Sequence, residues 1–289
     1  MKHISWDKIR ILVTNKCNYK CSFCHNEGQK KDRVSDAMSF DDFKTFIDII
    51  KDHPLSELNF SGGEPFLNKD ICEMIKYACD NLNCDISCAT NLSLISNNQI
   101  DKLSGTRVKF NIQFPYISHT LFQESTGNGK LSKIIDRIEK VKNQGIDIGL
   151  NCVVQTADND IYEEIILFAI DKELPLKLLP QMGKPESCDY KQWLYPILKK
   201  YSIDYKDKKT GATRWVLANK GKNTVVLYID SPCFTKDIEQ CRKYGELRIL
   251  PNFFAQPCIN RANGIQLDIK NKSSVLANLT ELWRDFTQC

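Results

Sequence analysis

The sequence has no stretch built to cross a membrane: its 289 residues contain nothing approaching the roughly 20 consecutive apolar residues of a transmembrane helix. Its opening, MKHISWDKIRILVTNKC, carries Lys2, Lys8 and Arg10 and lacks an apolar run of about seven or more residues, which argues against a secretory signal peptide. A cytoplasmic location, with no membrane partner, is the expectation. Long blocks of one charge are missing too. The 40 basic and 36 acidic residues are interspersed, and the net charge of +4 names no nucleic-acid partner. The lysine-rich runs Gln29-Lys30-Lys31-Asp32-Arg33 and Lys206-Asp207-Lys208-Lys209 are broken by acids and read as solvated loops.

What the chain has in quantity is cysteine, 13 residues. In a reducing compartment these are not expected to pair as disulfides. Cys72, Cys79, Cys84, Cys88 and Cys152 lie in apolar-patterned segments and read as small buried hydrophobes. The stretch CNYKCSFCH, residues 17–25, differs, because its cysteines sit among Asn18, Lys20, Ser22 and His25. From Cys21 it spells a c-type haem attachment site, and Cys21, Cys24 and His25 could also seed a zinc site. From Cys17, three thiolates at spacings of four and three suit an iron–sulfur cluster. The haem reading is weakened by the compartment and leaves Cys17 without a role.

Two periodicities alternate along the chain. Ile9 to Thr14 reads as a buried strand and Ser39 to Lys51 as a helix, with Ser39 as cap and Phe40, Phe43, Phe46, Ile47 and Ile50 at helical spacing. Strands follow at 55–61, 84–89, 108–114, 146–154 and 176–179, with helices at 69–81, 97–103, 130–143 and 162–172 between them. Six strand–helix units in a row imply parallel strands, and six are two short of a closed eight-fold barrel. The expected fold is α/β, an open or partial (β/α)6 TIM-like barrel over residues 1–205. In such folds working residues gather on loops at the C-terminal ends of strands, where the cysteine triplet stands. The second strand runs directly into Gly62-Gly63-Glu64-Pro65, whose glycines let a backbone approach a ligand and whose Glu64 could meet a ligand ammonium.

Taken together these residues resemble the radical S-adenosylmethionine (SAM) superfamily. Cys17, Cys21 and Cys24 with the aromatic Phe23 match its C-x-x-x-C-x-x-C signature, and Gly62 to Pro65 match its G-G-E-P strand end. The resemblance implies a [4Fe-4S] cluster held by Cys17, Cys21 and Cys24, with one iron open to the amino and carboxylate groups of SAM. It implies reductive SAM cleavage to a 5'-deoxyadenosyl radical, oxygen sensitivity, and an external one-electron reductant such as flavodoxin or ferredoxin. His25 then needs no ligand role. Ala89-Thr90-Asn91-Leu92 is similar to the family's T-N-G stretch. The implied SAM-binding residues are therefore Phe23, Gly62, Gly63, Glu64, Pro65, Thr90 and Asn91, joined by Asn111, Gln113 and Asn151 at later strand ends.

Beyond residue 205 short strand-like runs replace the strand–helix units. Residues 206–289 are expected to form a small α+β region resembling the auxiliary-cluster (Twitch/SPASM-like) part of the GTP cyclase of molybdenum-cofactor biosynthesis. The segment from Tyr244 to Cys258 looks like a hairpin ending in a ligand. In that resemblance Cys241 and Cys258 match the first and third ligands of a second [4Fe-4S] cluster and Tyr244 stands at the second, which Cys233 could replace; Cys188 or Cys289 could also reach the site. The chain ends Asp285-Phe286-Thr287-Gln288-Cys289 without the cyclase's terminal Gly-Gly, which argues against a true GTP cyclase. The run Asn59 to Leu67 also looks like viperin, a nucleotide-modifying relative. A nucleotide-like or other small-molecule substrate is thus slightly favoured, with Arg248 and Lys109 as candidate phosphate contacts. The alternatives are a peptide-modifying maturase, forming epimers or cross-links, and a non-enzymatic zinc or iron–sulfur protein.

Overall fold

The computed structural model describes residues 5–29, 36–209, 211–230, 233, 238–261 and 263–286. Residues 30–33 of the first lysine-rich run, and Cys289 with its neighbours 287–288, lie outside them. The first six strands are β1 (Lys8–Leu12), β2 (Glu57–Ser61), β3 (Asp85–Thr90), β4 (Val108–Gln113), β5 (Asp147–Val154) and β6 (Leu176–Pro180). Between them run helices α1 (Phe40–Ile50), α2 (Ile71–Asn81), α3 (Asn97–Leu103), α4 (His119–Thr126), α5 (Leu131–Asn143) and α6 (Asn159–Asp171). Each strand pairs in parallel with the next. The sheet is mostly parallel and not closed, as expected for a partial barrel.

Why these residues make these elements is local. At α1, Ser39 Oγ accepts from the Asp42 N–H at 3.2 Å, and Asp41 and Asp42 sit in the first turn, where the helix dipole favours negative charge. Phe43, Phe46, Ile47 and Ile50 recur on one face of α1 and are buried. They join Ile9 and Ile11 of β1, Leu58 and Phe60 of β2, Phe110 and Ile112 of β4 and Leu150 of β5 in one core. Because strand side chains alternate, the residues between these point to the opposite, helix-free face. There Arg10, Asn59, Ser87 and Lys109 stand in register across β1 to β4, and Gln113, Asn151 and Lys177 across β4 to β6. One face of the barrel wall is therefore apolar, and the other is polar and charged.

The later elements are α7 (Tyr190–Tyr201), β7 (Ser202–Asp207), β8 (Ala212–Asn219), β9 (Lys222–Ile229), α8 (Ile238–Tyr244), β10 (Leu247–Ile249), β11 (Phe254–Gln256), β12 (Ile265–Gln266) and α9 (Lys272–Arg284). They extend the barrel's own sheet at both edges. β9 adds parallel to β6 and carries β8 and β7 antiparallel, while β10 adds parallel to β1 and carries β11 and β12 antiparallel. The hairpin expected between Tyr244 and Cys258 is the β10–β11 pair. The expected boundary at 205/206 falls inside β7.

Four helices escaped the periodicity: α4, α7, α8 and α9. In α4 only Leu121 and Phe122 are large and apolar, so the helix rests on Ser118 capping its start and Gly127, at φ 82°, ending it. In α7 Pro196 removes a backbone donor, at a cost of about 3 kcal/mol. Burial of Tyr190, Leu194, Ile197 and Leu198 offsets it. No helix among the described residues is long and apolar enough to cross a membrane.

Candidate active site

The cysteine loop leaves β1 at the C-terminal edge of the sheet and is fastened on every side. Lys20 N and Ser22 N donate to the carbonyls of Thr126 and Ser125 at 3.0 and 2.9 Å, so the end of α4 forms its backing. Asn18 links it to the end of β3, donating to Ser93 Oγ at 2.8 Å and accepting from Asn91 Nδ2 at 2.9 Å. The turn itself is closed by Cys24 N donating to the Cys21 carbonyl at 3.1 Å. Cys17 Sγ accepts from Tyr19 N at 3.4 Å and Cys24 Sγ from Asn26 N at 3.2 Å. His25 Nδ1 accepts from Glu27 N at 3.2 Å, so the imidazole serves the turn.

Among the described residues no three His, Cys, Asp or Glu side chains are gathered at ion-holding spacing. The fit of the triplet to a cluster lies in its donor chemistry. Burial, and then the neighbouring Cys24 and Cys17, push the Cys21 thiol up to about 12; burial also raises Cys17. Three soft donors that oppose one another's ionisation, with Cys17 and Cys24 exposed, suit a cationic iron centre that would hold them as thiolates.

The glycine pair does something the sequence did not reveal. Gly63 N donates to the Thr14 carbonyl at 2.8 Å and Glu64 N to the Lys16 carbonyl at 2.7 Å, prolonging the β1–β2 ladder beneath the cysteine loop. A Cβ on Gly63 would lie 2.8 Å from Cys17 N and would overlap the Lys16 carbonyl. Gly62 has φ 141°, and a Cβ there would press on the Thr14 backbone. These glycines are needed for the backbone that carries Cys17 to pass.

Glu64 differs from its expected role toward a ligand ammonium. It is 1% exposed, and its carboxylate accepts from Thr90 Oγ1 at 2.6 Å, Asn91 N at 2.8 Å and Phe66 N at 3.2 Å. Burial lifts its carboxyl to about 7 in spite of these donors. Thr90 is buried and also accepts from Leu92 N at 2.9 Å, while Asn91 is spent on Asn18 and Ser93. Glu64, Thr90 and Asn91 thus lock the ends of β2 and β3 together, with Pro65 opening the short 3-10 turn Pro65–Leu67. Phe23 is half-buried on the cysteine turn.

The polar face of the sheet lies alongside. Asn111 Oδ1 accepts from Lys177 Nζ at 3.2 Å, and Gln113 Nε2 donates to the Asn151 carbonyl at 3.3 Å. Burial lowers the Lys177 ammonium's pKa. Of the buried side-chain atoms without a hydrogen-bond partner among the described residues, Asn59 Oδ1, Asn151 Oδ1, Arg248 Nε and Gln256 Oε1 belong to strands of this sheet. Orphaned polar atoms are costly unless a ligand or water meets them. Asn59, not among the residues expected at the site, stands on this face because it alternates with Leu58 and Phe60.

Arg248 has both terminal nitrogens committed within the protein, with Nε left unpartnered among the described residues. It is paired with Arg10 in strand register, and the two guanidiniums share the carboxylates of Glu27 and Glu246. Burial opposes charge here, but Arg248 and Arg10 outweigh it and hold the Glu27 carboxyl down to about 2; Glu246 and Glu27 likewise raise Arg10. Lys109 stays on the same face, its Cε at 3.3 Å from where a Cβ on Gly149 would stand.

Of the C-terminal cysteines, Cys258 is buried just past β11 and Cys233 is half-buried. Asn260 joins them, its N donating to Cys258 Sγ at 3.3 Å and its Nδ2 to Cys233 Sγ at 3.5 Å. Cys241, on α8, packs half-buried against the core, and Tyr244 ends that helix. Cys188 is exposed on the short 3-10 turn Pro185–Asp189.

Comparison with known proteins bears on the family and the fold. The chain is 24% identical over 285 residues to a GTP 3',8-cyclase of Clostridium perfringens strain 13, covering 93% of this chain and 85% of that one. It is 27% identical over 267 residues to a probable GTP 3',8-cyclase of Methanocaldococcus jannaschii, covering 89% and 86%. Its fold matches the crystal structure of Streptococcus suis SuiB bound to S-adenosylmethionine with a TM-score of 0.74 at 16% identity, covering 98% of this chain and 66% of SuiB. Residues 11–169, more than half of the chain, match the Radical SAM superfamily. This protein belongs to that superfamily and is an enzyme of it, a family whose members work with a [4Fe-4S] cluster and SAM.

Proposed function

We propose that Cys17, Cys21 and Cys24 hold the catalytic [4Fe-4S] cluster, that SAM binds beside it against the polar sheet face, and that the substrate is a nucleotide-like small molecule. Bound there, cluster and SAM would supply the reductive radical chemistry that removes hydrogen from the substrate. An external one-electron carrier of the flavodoxin or ferredoxin class provides the electron. A second iron–sulfur centre at the C-terminal cysteines completes the reading, supported by Asn260 joining Cys233 and Cys258.

The chain's own part is orientation and exclusion of water. The backbone of Gly62 to Pro65 sets the height of the cysteine loop, and the Glu64–Thr90–Asn91 lock keeps the neighbouring strand ends from spreading. Asn59 and Asn151 offer uncommitted carbonyl oxygens to hydroxyl or amino donors, while Gln113 steadies the β5 backbone at Asn151. Lys109 and Lys177 supply positive charge for an anionic group.

The observation that carries the small-molecule reading is this row of buried, unpartnered polar atoms on one sheet face, matched to a ligand dense in donors and acceptors. The cyclase relatives, aligned over nearly the whole chain, point the same way. Under anaerobic reduction, 5'-deoxyadenosine formation should rise when purine nucleotides, GTP among them, are added, and mass spectrometry should find a modified nucleotide. Stimulation by peptides alone would replace this reading with the maturase one. The cluster assignment has its own check: serine at Cys21 should abolish 5'-deoxyadenosine, and an unimpaired variant would refute it.

A further inference from the structure

Gln155, the residue just past β5, is 8% exposed and joins the cysteine turn to several other parts of the chain. Ser22, which stands between Cys21 and Cys24, donates its hydroxyl to Gln155 Oε1 at 3.2 Å. Gln155 Nε2 donates in turn to Ser125 Oγ, near the end of α4, at 3.1 Å. The backbone of Gln155 is pinned as well. Its N–H donates to Tyr162 Oη of α6 at 2.8 Å, and its carbonyl accepts from Tyr190 Oη of α7 at 2.9 Å and from Lys184 Nζ, past β6, at 3.1 Å. Both tyrosines are buried. A buried amide costs stability unless its two ends are paired, and here they are; with its main chain fixed it holds one orientation. The hydroxyl of Ser22 therefore meets a fixed acceptor, although Ser22 itself is exposed.

We propose that Gln155 is a positioning residue for the first iron–sulfur centre, holding the Cys21–Cys24 turn through Ser22 so that the ligating thiolates keep one geometry. The inference rests on the reading of Cys17, Cys21 and Cys24 as the ligands. Hydrogen bonds behind metal ligands fix their orientation and tune the metal's potential. Here the Ser22 N–H on the Ser125 carbonyl ties the turn to α4, and the Gln155 amide, bonded to both serines, closes the connection from a second side. The end of β5 thus sets where the turn stands, and the tyrosines and Lys184 keep that end in place.

The test compares the full chain with two variants: Gln155→Met, of similar length and without a polar end, and Ser22→Ala, which removes the other half of the contact at an exposed position. After anaerobic reconstitution both should bind as much iron as the parent and lose it to a chelator about tenfold faster, the lower end for groups that back metal ligands. The paramagnetic signal of the reduced protein that responds to SAM should shift in the same way in both, a change that loss of fold stability alone would not produce. Adding Ser22→Ala to Gln155→Met should change nothing further, because both break one contact. Ser22→Thr, which keeps a hydroxyl, should restore the parent's behaviour. Parent-like chelation and signal in Ser22→Ala, whatever Gln155→Met does, would overturn the proposal, since Gln155 would then act on the fold alone. Fully additive effects would overturn it too. Iron content left unchanged when Cys17, Cys21 and Cys24 are all changed to alanine would instead refute the ligand reading, and the proposal with it.

Discussion

Arg248 donates to Glu27 twice, to its carboxylate and to its backbone carbonyl at 3.2 Å, and so fastens the turn just past Cys24 to strand β10. The first cluster loop is therefore held by a strand from the far end of the chain. The Arg248 side chain is only 5% exposed, so removing it leaves Glu27 beside Arg10 alone. Arg248→Met should destabilise the protein by about 3 kcal/mol, the lower end for breaking a buried pair, since Glu27 keeps some contact with water. It should also speed iron loss from the cysteine triplet to a chelator. Urea unfolding and chelation kinetics check this; loss below about 0.5 kcal/mol would mean the pair is ornamental to the fold.

Glu64 gives the apoprotein a pH dependence of definite sign. Its carboxyl in the fold, at about 7, lies above the ordinary value of 4.5, so the fold favours the protonated form. That contribution is complete below about pH 4.5 and is lost as pH rises through 7. Apoprotein stability should fall across this window, and Glu64→Gln should flatten the fall. Denaturant unfolding of both proteins at several pH values decides it: equal slopes would show that Glu64 does not titrate there.

Gly63→Ala is expected to fail at the cysteine loop. The added methyl meets the backbone of Lys16 and Cys17, neither of which can rotate away, and overpacking of this kind costs about 1–3 kcal/mol. Iron content of the first centre should drop with it. A variant that reconstitutes like the parent would show that the loop has slack.

For Asn151 stability and binding should move in opposite directions. Its buried Oδ1 has no partner among the described residues, so Asn151→Ala should leave the apoprotein unchanged or more stable by up to about 1 kcal/mol. Affinity for SAM should weaken about tenfold, or about 1.4 kcal/mol. Calorimetric titration against the melting curve separates the two, and unchanged affinity would remove Asn151 from the binding face.

Much of the fold was legible because its signals are short-range. Ser39 with Phe43, Phe46, Ile47 and Ile50 announces α1, and the alternation around Asn59 announces β2 and its polar side. Elements α4, α7, α8 and α9 were not legible; α4 carries few apolar residues and α7 an internal proline, and tertiary burial overrides both. At the site, the cysteine spacing and the G-G-E-P run were readable, but the partners of Glu64 and Arg248 were not.

By itself the sequence determined which loop carries the three clustered cysteines, which strand end carries the paired glycines, and which strand residues are apolar, because these are matters of spacing within a few residues. Only the tertiary structure decided that Glu64 faces Thr90 and Asn91, that Arg248 is neutralised by Glu27 and Glu246, and that Cys188 shares a cavity with Cys233. Those contacts depend on which strand lies beside which. β10 docks against β1, and β9 against β6, through backbone hydrogen bonds that every residue can make, so side-chain identity leaves little trace of the choice.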